Sequence, residues 1–369
     1  MIANTFQFEV YYETQQNGVI LMVTETIETR QHIKENKLTV SFRLLLALYA
    51  IIPICIILQL VDSEFFNHSF QQSLPSSPKH FVLFQILFGT PHIVASAIIL
   101  TTNTEYLKFY RFKVLMMTLA LGIFFATATQ VFSYRVLYIL VASWTVLHVL
   151  KQQYGISQGV CRLPGWAFYL QLCLGVMAGI FIYIGIFLNK SLDAQQTEWV
   201  KNISGVLCLG LFLATVFFHR IVPSYFGKLF MWANTFLVLS SFYLYLQQYY
   251  FLAILVPRLV HDATAYVFYV THDYNRHSMQ PQNFIYRWAK NLHLNIFIVL
   301  PVLSFLLAYT LQAYGDYYFN ILTELFFGTE LHKVISLGLL GYLALMHYYT
   351  EAFTWKSGSP YRQFIEFKK

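Results

Sequence analysis

Long apolar runs recur through most of this chain, from residue 41 to residue 356. An α-helix needs about 20 apolar residues to cross the hydrocarbon core of a bilayer. Water is missing there, so a crossing segment must satisfy its own backbone hydrogen bonds, and unalternating runs of this length predict helices and not barrel strands. Ten windows fit: 41–61, 81–101, 114–133, 136–158, 166–188, 203–219, 229–247, 250–274, 288–312 and 333–355.

The windows predict an all-α, polytopic transmembrane helix bundle of ten spanning helices at residues 41–356. Only 11 % of the residues are charged, whereas soluble domains average about 25 %. No stretch is left for a soluble catalytic domain. Residues 1–40 are predicted to form a short N-terminal cytosolic segment, and residues 357–369 a cytosolic tail. The alternating pattern of the N-terminal segment fits a hairpin, and an ordered tail is the alternative.

Basic residues indicate the orientation, because Lys and Arg near helix ends are retained on the cytoplasmic side. One set of alternate connections, including both termini, holds eighteen of the 24 basic residues. We therefore predict a multi-pass membrane protein with both termini cytoplasmic. The net charge of +7 has the same origin and requires no nucleic-acid partner. The eighteen are Arg30, Lys34, Lys37, Arg43, Lys108, Arg111, Lys113, Lys151, Arg162, Arg220, Lys228, Arg276, Arg287, Lys290, Lys356, Arg362, Lys368 and Lys369.

Four histidines on different windows share a depth in this topology. They lie eleven to fourteen residues beyond the outer ends of their helices, roughly 16–21 Å down at 1.5 Å per residue. Imidazoles from separate helices that meet in an apolar core are typical of a site for iron, copper or zinc. The four are His92, His148, His261 and His347.

Local spacing supports a metal site at two of these histidines. His347 and Glu351 are four residues apart, so both side chains lie on one helix face and the carboxylate can join or support the imidazole. His148 and Gln152 have the same spacing. We expect Gln152 to donate a hydrogen bond beside the ligands.

The window 250–274 carries further ionisable residues. His261 and His272 are eleven residues apart, about 16 Å along a helix, so one straight helix cannot offer both to a single ion. Either one of them is the ligand, or there are two ions or a relay. Asp262 and Asp273 are expected to orient a ligand or to cap a helix.

Four segments, in this order, carry a family resemblance: "FGTPH" (88–92), "LHVLKQQYG" (147–155), "AYVFYVTHDYNRH" (265–277) and "MHYYTEAFTWK" (346–356). Their order resembles the Brp/Blh-like integral-membrane β-carotene dioxygenases. The resemblance implies a histidine-ligated non-haem iron that cleaves a conjugated apolar chain with dioxygen. It also implies the ligands His92, His148, His272 and His277.

The window 250–274 offers two candidate ligands. The shared depth of the histidines in the membrane favours His261, whereas the family resemblance favours His272. A shift of this helix towards the outside would bring His272 into the layer, with Pro257 near the helix start and Arg258 snorkelling at the interface. We interpret His272 as the ligand, with His261 also in the site.

The resulting hypothesis is an iron-dependent membrane oxygenase with O2 as co-substrate. Its apolar small-molecule substrate, drawn from the membrane lipid, would be a carotenoid-like polyene or an acyl or terpenoid chain. Tyr266 and Tyr269 flank the motifs and are candidate catalytic residues that orient the substrate. A variant with two iron ions would also use His261, His347 and Glu351.

Two alternatives use the same buried side chains. A transporter or metal-handling protein would use the His, Asp and Glu residues as a translocation route, although no internal repeat or pair of broken helices is evident. Haem held by paired histidines is the other, and a Soret band would identify it. The chain lacks GxSxG, HExxH and Gly-rich phosphate-binding motifs, which disfavours the corresponding hydrolase and nucleotide-binding classes.

Overall fold

The structure, a computed structural model, describes residues 37–75, 89–329 and 334–368. The described chain is mostly helical, and seven of its helices are long and apolar enough to cross a membrane. The predictions of an all-α fold and of a multi-pass membrane protein are therefore confirmed. The hairpin predicted in the first forty residues falls almost wholly outside the described residues.

The elements follow one another in a simple order, with two short strands at the ends. A 3-10 turn (Leu48–Ala50) joins α1 to α2, and a π-helical turn (Val334–Leu339) precedes α13. The elements are β1 (Thr39–Ser41), α1 (Phe42–Ala47), α2 (Ile51–Phe65), α3 (Ser69–Ser73), α4 (Thr90–Thr102), α5 (Thr104–Val131), α6 (Tyr134–Cys161), α7 (Gly165–Phe187), α8 (Ala194–Phe218), α9 (Tyr225–Leu246), α10 (Tyr250–His277), α11 (Phe284–Asn291), α12 (Ile296–Phe327), α13 (Leu340–Thr354) and β2 (Glu366–Lys368).

The predicted windows all overlap helices in the described parts of the chain. Seven windows overlap the long apolar helices, and the remaining three overlap α4, α6 and α13. The number of crossings and the cytoplasmic location of the termini stay predictions.

Polar residues in the connections set where several helices begin. Asp193 Oδ1 accepts a hydrogen bond from the Gln196 amide at 2.7 Å, and the Gln196 side chain accepts one from the Asp193 amide. This reciprocal capping box satisfies two donors that the first turn of α8 leaves free. Ser224 caps α9 in the simpler way, through the amide of Gly227.

The predicted C-terminal tail is ordered against the bundle. Its strand β2 pairs in parallel with β1, with Thr39 opposite Glu366. Tyr361 and Ile365 are buried and belong to the main hydrophobic core. The residues before the first long helix and those after the last helix therefore lie side by side.

Helix α10 is the most buried of the seven long helices. It packs against α2, α4, α6, α9 and α12, and α4 also packs against α13. Four helices carry the histidines that share a depth: α4, α6, α10 and α13. Helices α4 and α6 pack on α10, and α13 packs on α4, so the four lie together.

A close approach of α9 to the end of α6 requires glycine at position 227. A Cβ there would lie 2.7 Å from the carbonyl oxygen of Val160, a backbone atom that cannot turn aside. We expect Gly227→Ala to lower the free energy of unfolding by about 1–3 kcal/mol, as overpacking does. Thermal unfolding in detergent measures this. Gly122→Ala, where a Cβ meets nothing within 4 Å, should cause no loss, and equal losses in both variants would contradict the explanation.

Candidate metal centre

Four imidazoles and one carboxylate converge in the interior from four helices. His92 comes from α4, His148 from α6, His261 from α10, and His347 and Glu351 from α13. All five are buried, and His92 and His261 are completely so. The rings face one another: the His92 centroid lies 4.7 Å from that of His347 and 5.2 Å from that of His261. We call these five residues the histidine cluster.

The local sequence explains how the cluster is presented. Pro91 occupies the start of α4, where its missing N–H costs no helical hydrogen bond, and His92 follows in the first turn. His347 and Glu351 are one turn apart on α13, as their spacing predicts. His148 stacks on the ring of Tyr348 at 4.5 Å between centroids, which fixes its imidazole against α13.

Three ring nitrogens and one carboxylate oxygen come particularly close. His92 Nε2 lies 3.2 Å from His347 Nε2. Glu351 Oε2 lies 3.4 Å from His148 Nε2 and 3.5 Å from His347 Nε2. Around one ion with bonds of about 2.1 Å, neighbouring ligand atoms are about 3.0–3.4 Å apart. The separations in the cluster match that spacing.

His261 gives the clearest test of whether these residues suit a metal. Its side chain is completely buried, and neither ring nitrogen has a hydrogen-bond partner among the described residues. A buried polar group without a partner is costly, and a metal bond removes that cost. The ring centroid of His261 lies 4.9 Å from that of His148. The residues therefore fit a bound metal ion.

Glu351 is held in place by two side chains outside the histidines. The Gln152 side-chain amide donates to Oε2 at 2.7 Å, and the Tyr269 hydroxyl donates to Oε1. The hydrogen bond that the sequence predicts for Gln152 thus goes to Glu351, across the helix interface. Hydrogen bonds of this kind orient a ligating carboxylate.

Asp262 and Arg258 extend the cluster on α10. Asp262 Oδ1 lies 3.1 Å from His92 Nδ1 and 3.4 Å from Arg258 Nε. Both residues are buried, so the prediction that Arg258 snorkels to the interface is wrong. Its spacing of four from Asp262 was the sequence signal for an ion pair.

His272 and His277, which the resemblance implied as ligands, lie outside the histidine cluster. His272 Nε2 is 2.7 Å from the Tyr106 hydroxyl, and its Nδ1 is 2.8 Å from Asp273 Oδ1. Its ring stacks on Tyr361 at 4.3 Å. Because three helical turns separate His272 from His261, as the spacing required, α10 presents only His261 to the cluster.

His277 belongs to the end of α10 and meets α11. Its Nδ1 accepts a hydrogen bond from the Gln282 amide at 3.1 Å, and its ring stacks on Tyr286 at 4.2 Å. The Tyr286 hydroxyl donates to Asp273. Burial, together with the nearby Asp273 carboxylate, raises the pKa of the Tyr286 phenol, so it remains a donor at neutral pH.

The two candidate catalytic tyrosines have different surroundings. Tyr269 is buried and bonds to Glu351, which places it beside the cluster. Tyr266 pairs instead with Ser304 Oγ at 2.9 Å on α12.

A cavity of about 600 Å³ adjoins the cluster. His148 and Glu351 form part of its wall, together with aromatic side chains such as Trp144, Phe268 and Trp355. This volume is within the range of small-molecule sites, about 300–1,000 Å³. We call this cavity the cluster groove.

No family model matches the chain, and neither a curated protein nor a solved structure matches it.

Proposed function

We propose that the protein is an integral-membrane non-haem iron oxygenase that acts on a lipid-soluble substrate with O2. The observation that carries the proposal is the meeting of His92, His148, His261, His347 and Glu351 in a buried core, with both nitrogens of His261 unpaired among the described residues. Burying ionisable residues inside a membrane protein costs free energy, so such residues usually have a function.

The donor set is compatible with iron, and the choice of iron follows the resemblance to the Brp/Blh-like dioxygenases. Imidazole suits zinc, copper and iron, and a mixture of histidine with one carboxylate is typical of non-haem iron. The five residues of the histidine cluster would hold it, and the iron would supply activation of dioxygen for oxidation of an organic chain. The ligand atoms form two groups that share His347, one with His92 and His261 and one with His148 and Glu351. The residues therefore suit one ion or a close pair of ions. Metal stoichiometry would distinguish one ion from two.

The chain's own residues have separate tasks in this proposal. Gln152 and Tyr269 hold the Glu351 carboxylate in one orientation, and Asp262 lies against His92. The burial of the cluster excludes water, which protects reactive oxygen species from quenching. The cluster groove brings a lipid chain from the bilayer to His148 and Glu351.

The resemblance to the Brp/Blh-like dioxygenases suggests a carotenoid-like polyene as substrate. Two of the four ligands that it implies, His92 and His148, lie in the histidine cluster. The proposal therefore keeps the histidine-ligated helical bundle that the resemblance implies, but not its full set of ligands. Acyl and terpenoid chains are also substrates compatible with the proposal.

We further propose ten crossings with both termini in the cytoplasm. Pairing of β1 with β2 places the start and the end of the bundle side by side, which supports an even number of crossings. Crossings by α4, α6 and α13, added to the seven long apolar helices, would give ten, an even number. Reporter fusions at each terminus and labelling of cysteines placed in successive connections test this topology.

The function is tested by measuring iron and O2-dependent turnover in purified protein. We expect stoichiometric iron, consumption of O2 with added polyene or acyl lipid, and loss of both iron and turnover in His92→Ala and His148→Ala with an intact fold. A Soret band would instead identify haem.

The rival function would give a different result. A transporter or metal-handling protein would bind metal through the same cluster but would consume no O2 with any lipid. Stoichiometric iron retained in both alanine variants would contradict the oxygenase proposal outright.

A further inference from the structure

The lining of the cluster groove includes three basic residues, although most of its wall is apolar. Lys151, Lys356 and Arg362 line it. Lys151 follows His148 by one turn of α6, and Lys356 lies just beyond the end of α13, five residues after Glu351. Three cations thus line the same groove as His148 and Glu351.

These cations have no acidic partner among the described residues. The ion pairs of the described chain involve other residues, such as Arg276 with Glu105 and Lys201 with Glu198. Among the residues that line the groove, Glu351 is the single acid, and its two oxygens already accept from Gln152 and Tyr269. No acid of the described residues therefore pairs with these cations, and the Arg362 guanidinium donates a hydrogen bond to the carbonyl oxygen of Ile365.

The positive-inside rule accounts for basic residues near helix ends, but not for their gathering around one cavity. Lys151 comes from α6, Lys356 from the end of α13, and Arg362 from the segment before β2. Arg362 is partly buried and its guanidinium lies 4.5 Å above the Phe367 ring. Three separate parts of the chain thus present cations to one apolar groove.

We propose that the cluster groove binds a fatty acid, with its carboxylate at Lys151, Lys356 and Arg362. Arginine and lysine bind carboxylates through charge-assisted hydrogen bonds, and the apolar wall solvates the chain. The volume of about 600 Å³ fits a small-molecule ligand of one chain. This inference deepens the proposed function by naming the substrate class of the same site, and it rests on that function only for the chemistry that follows binding.

The geometry also fixes the direction of the bound acid. On α6, Lys151 lies one turn beyond His148, whereas Trp144 lies one turn before it. Trp144 and Leu147 line the groove and are about half exposed, so the tail leaves between them towards lipid. The carbons next to the carboxylate, and not those of the tail, then lie beside His148 and Glu351.

The test is an equilibrium binding measurement that needs no turnover. Tritiated laurate is bound to the purified full chain in detergent, with and without iron, and is competed with unlabelled laurate, methyl laurate or dodecyl phosphate. We expect competition by laurate, and at least about tenfold weaker competition by methyl laurate, the factor for one lost hydrogen bond to a charged group. Stronger competition by dodecyl phosphate, or equal competition by the ester, would overturn the proposal.

Variants locate the binding within the protein. Lys151→Gln/Lys356→Gln should weaken laurate binding at least about tenfold, and Lys151→Arg/Lys356→Arg should retain it. Lys290→Gln, at an exposed lysine outside the groove, is the matched control. Unchanged laurate affinity in the double glutamine variant would refute the site.

Filling the groove gives a second, independent variant. Gly155 lines the groove, and a Cβ there would meet nothing within 4 Å. Gly155→Leu also removes a helix-interior glycine, which favours the folded helix. We expect it to abolish laurate binding, whereas Gly122→Leu on α5, with the same open space, should not. Laurate binding that survives Gly155→Leu would contradict the proposal.

The failure of this inference can be told apart from failure of the proposed function. Iron and O2-dependent turnover without laurate binding would overturn the fatty-acid proposal alone. Laurate binding that depends on the lysines but occurs without iron or O2 consumption would support the site and contradict the oxygenase.

Discussion

Replacing His347 by alanine is expected to remove the bound metal and, with it, any O2-dependent turnover. His347 Nε2 is the one atom of the cluster close to both His92 Nε2, at 3.2 Å, and Glu351 Oε2, at 3.5 Å. Loss of a residue that only orients a ligand typically lowers metal affinity by about 10–100-fold. Loss of a central ligand should exceed about 100-fold, measured by chelator competition on purified protein.

A histidine outside the cluster provides the matched control for His347→Ala. His272 is equally buried but bonds to Tyr106 and Asp273, so His272→Ala should lose stability and keep its metal. If His272→Ala lost metal while His347→Ala kept it, the metal site would lie near the C-terminal end of α10, at His272. The family resemblance would then have located the ligand correctly.

Much of the fold was predictable because one physical constraint dominates it. Apolar runs that cannot hydrogen-bond to water must form helices, and each window overlaps a helix of the described chain. The exact ends of those helices depend on the connections. The capping box at Asp193, for example, begins α8 at Ala194, whereas hydropathy alone placed the window at residue 203.

Some residues of the candidate site are predictable from the sequence and others are not, because their positions depend on different geometric quantities. Depth along a helix follows from counting residues, so His92, His148, His261 and His347 were grouped from the sequence, and the structure brings their rings together. Motif similarity favoured His272, which lies three turns away from His261 on α10. A sequence motif does not tell how far a helix is shifted along its axis relative to its neighbours. That shift determines which side chain of α10, His261 or His272, faces the histidines of α4, α6 and α13.

Contacts between helices were the least predictable part of the site. The hydrogen bond from Gln152 on α6 to Glu351 on α13 depends on how the two helices are rotated about their axes. The sequence offered only the proximity of Gln152 to His148 on one helix face. Likewise, the sequence allows Arg258 to lie at the membrane interface or in the core. In the structure it lies in the core because it pairs with Asp262, which in turn contacts His92.

The pair of Arg258 and Asp262 gives the second large expected effect. Both side chains are buried, with 6 % and 4 % of their surface exposed, and removing one partner of a buried ion pair typically costs about 3–5 kcal/mol. We therefore expect Arg258→Met to destabilise the protein by that amount, because the Asp262 carboxylate would remain buried without its cation. Thermal unfolding in detergent measures the loss.

A double variant separates stability from metal binding at the same position. Arg258→Met/Asp262→Leu removes both charges, and replacing a whole buried pair by apolar residues is often neutral for stability, so the unfolding temperature should largely recover. Metal affinity should not recover, because His92 Nδ1 loses the Asp262 oxygen that lies 3.1 Å away, and a weakening of about 10–100-fold is expected. Lys201→Met is the control, since its ion pair with Glu198 is exposed and should contribute about 0–1 kcal/mol. A double variant as unstable as Arg258→Met would show that the arginine acts through packing and not through its charge.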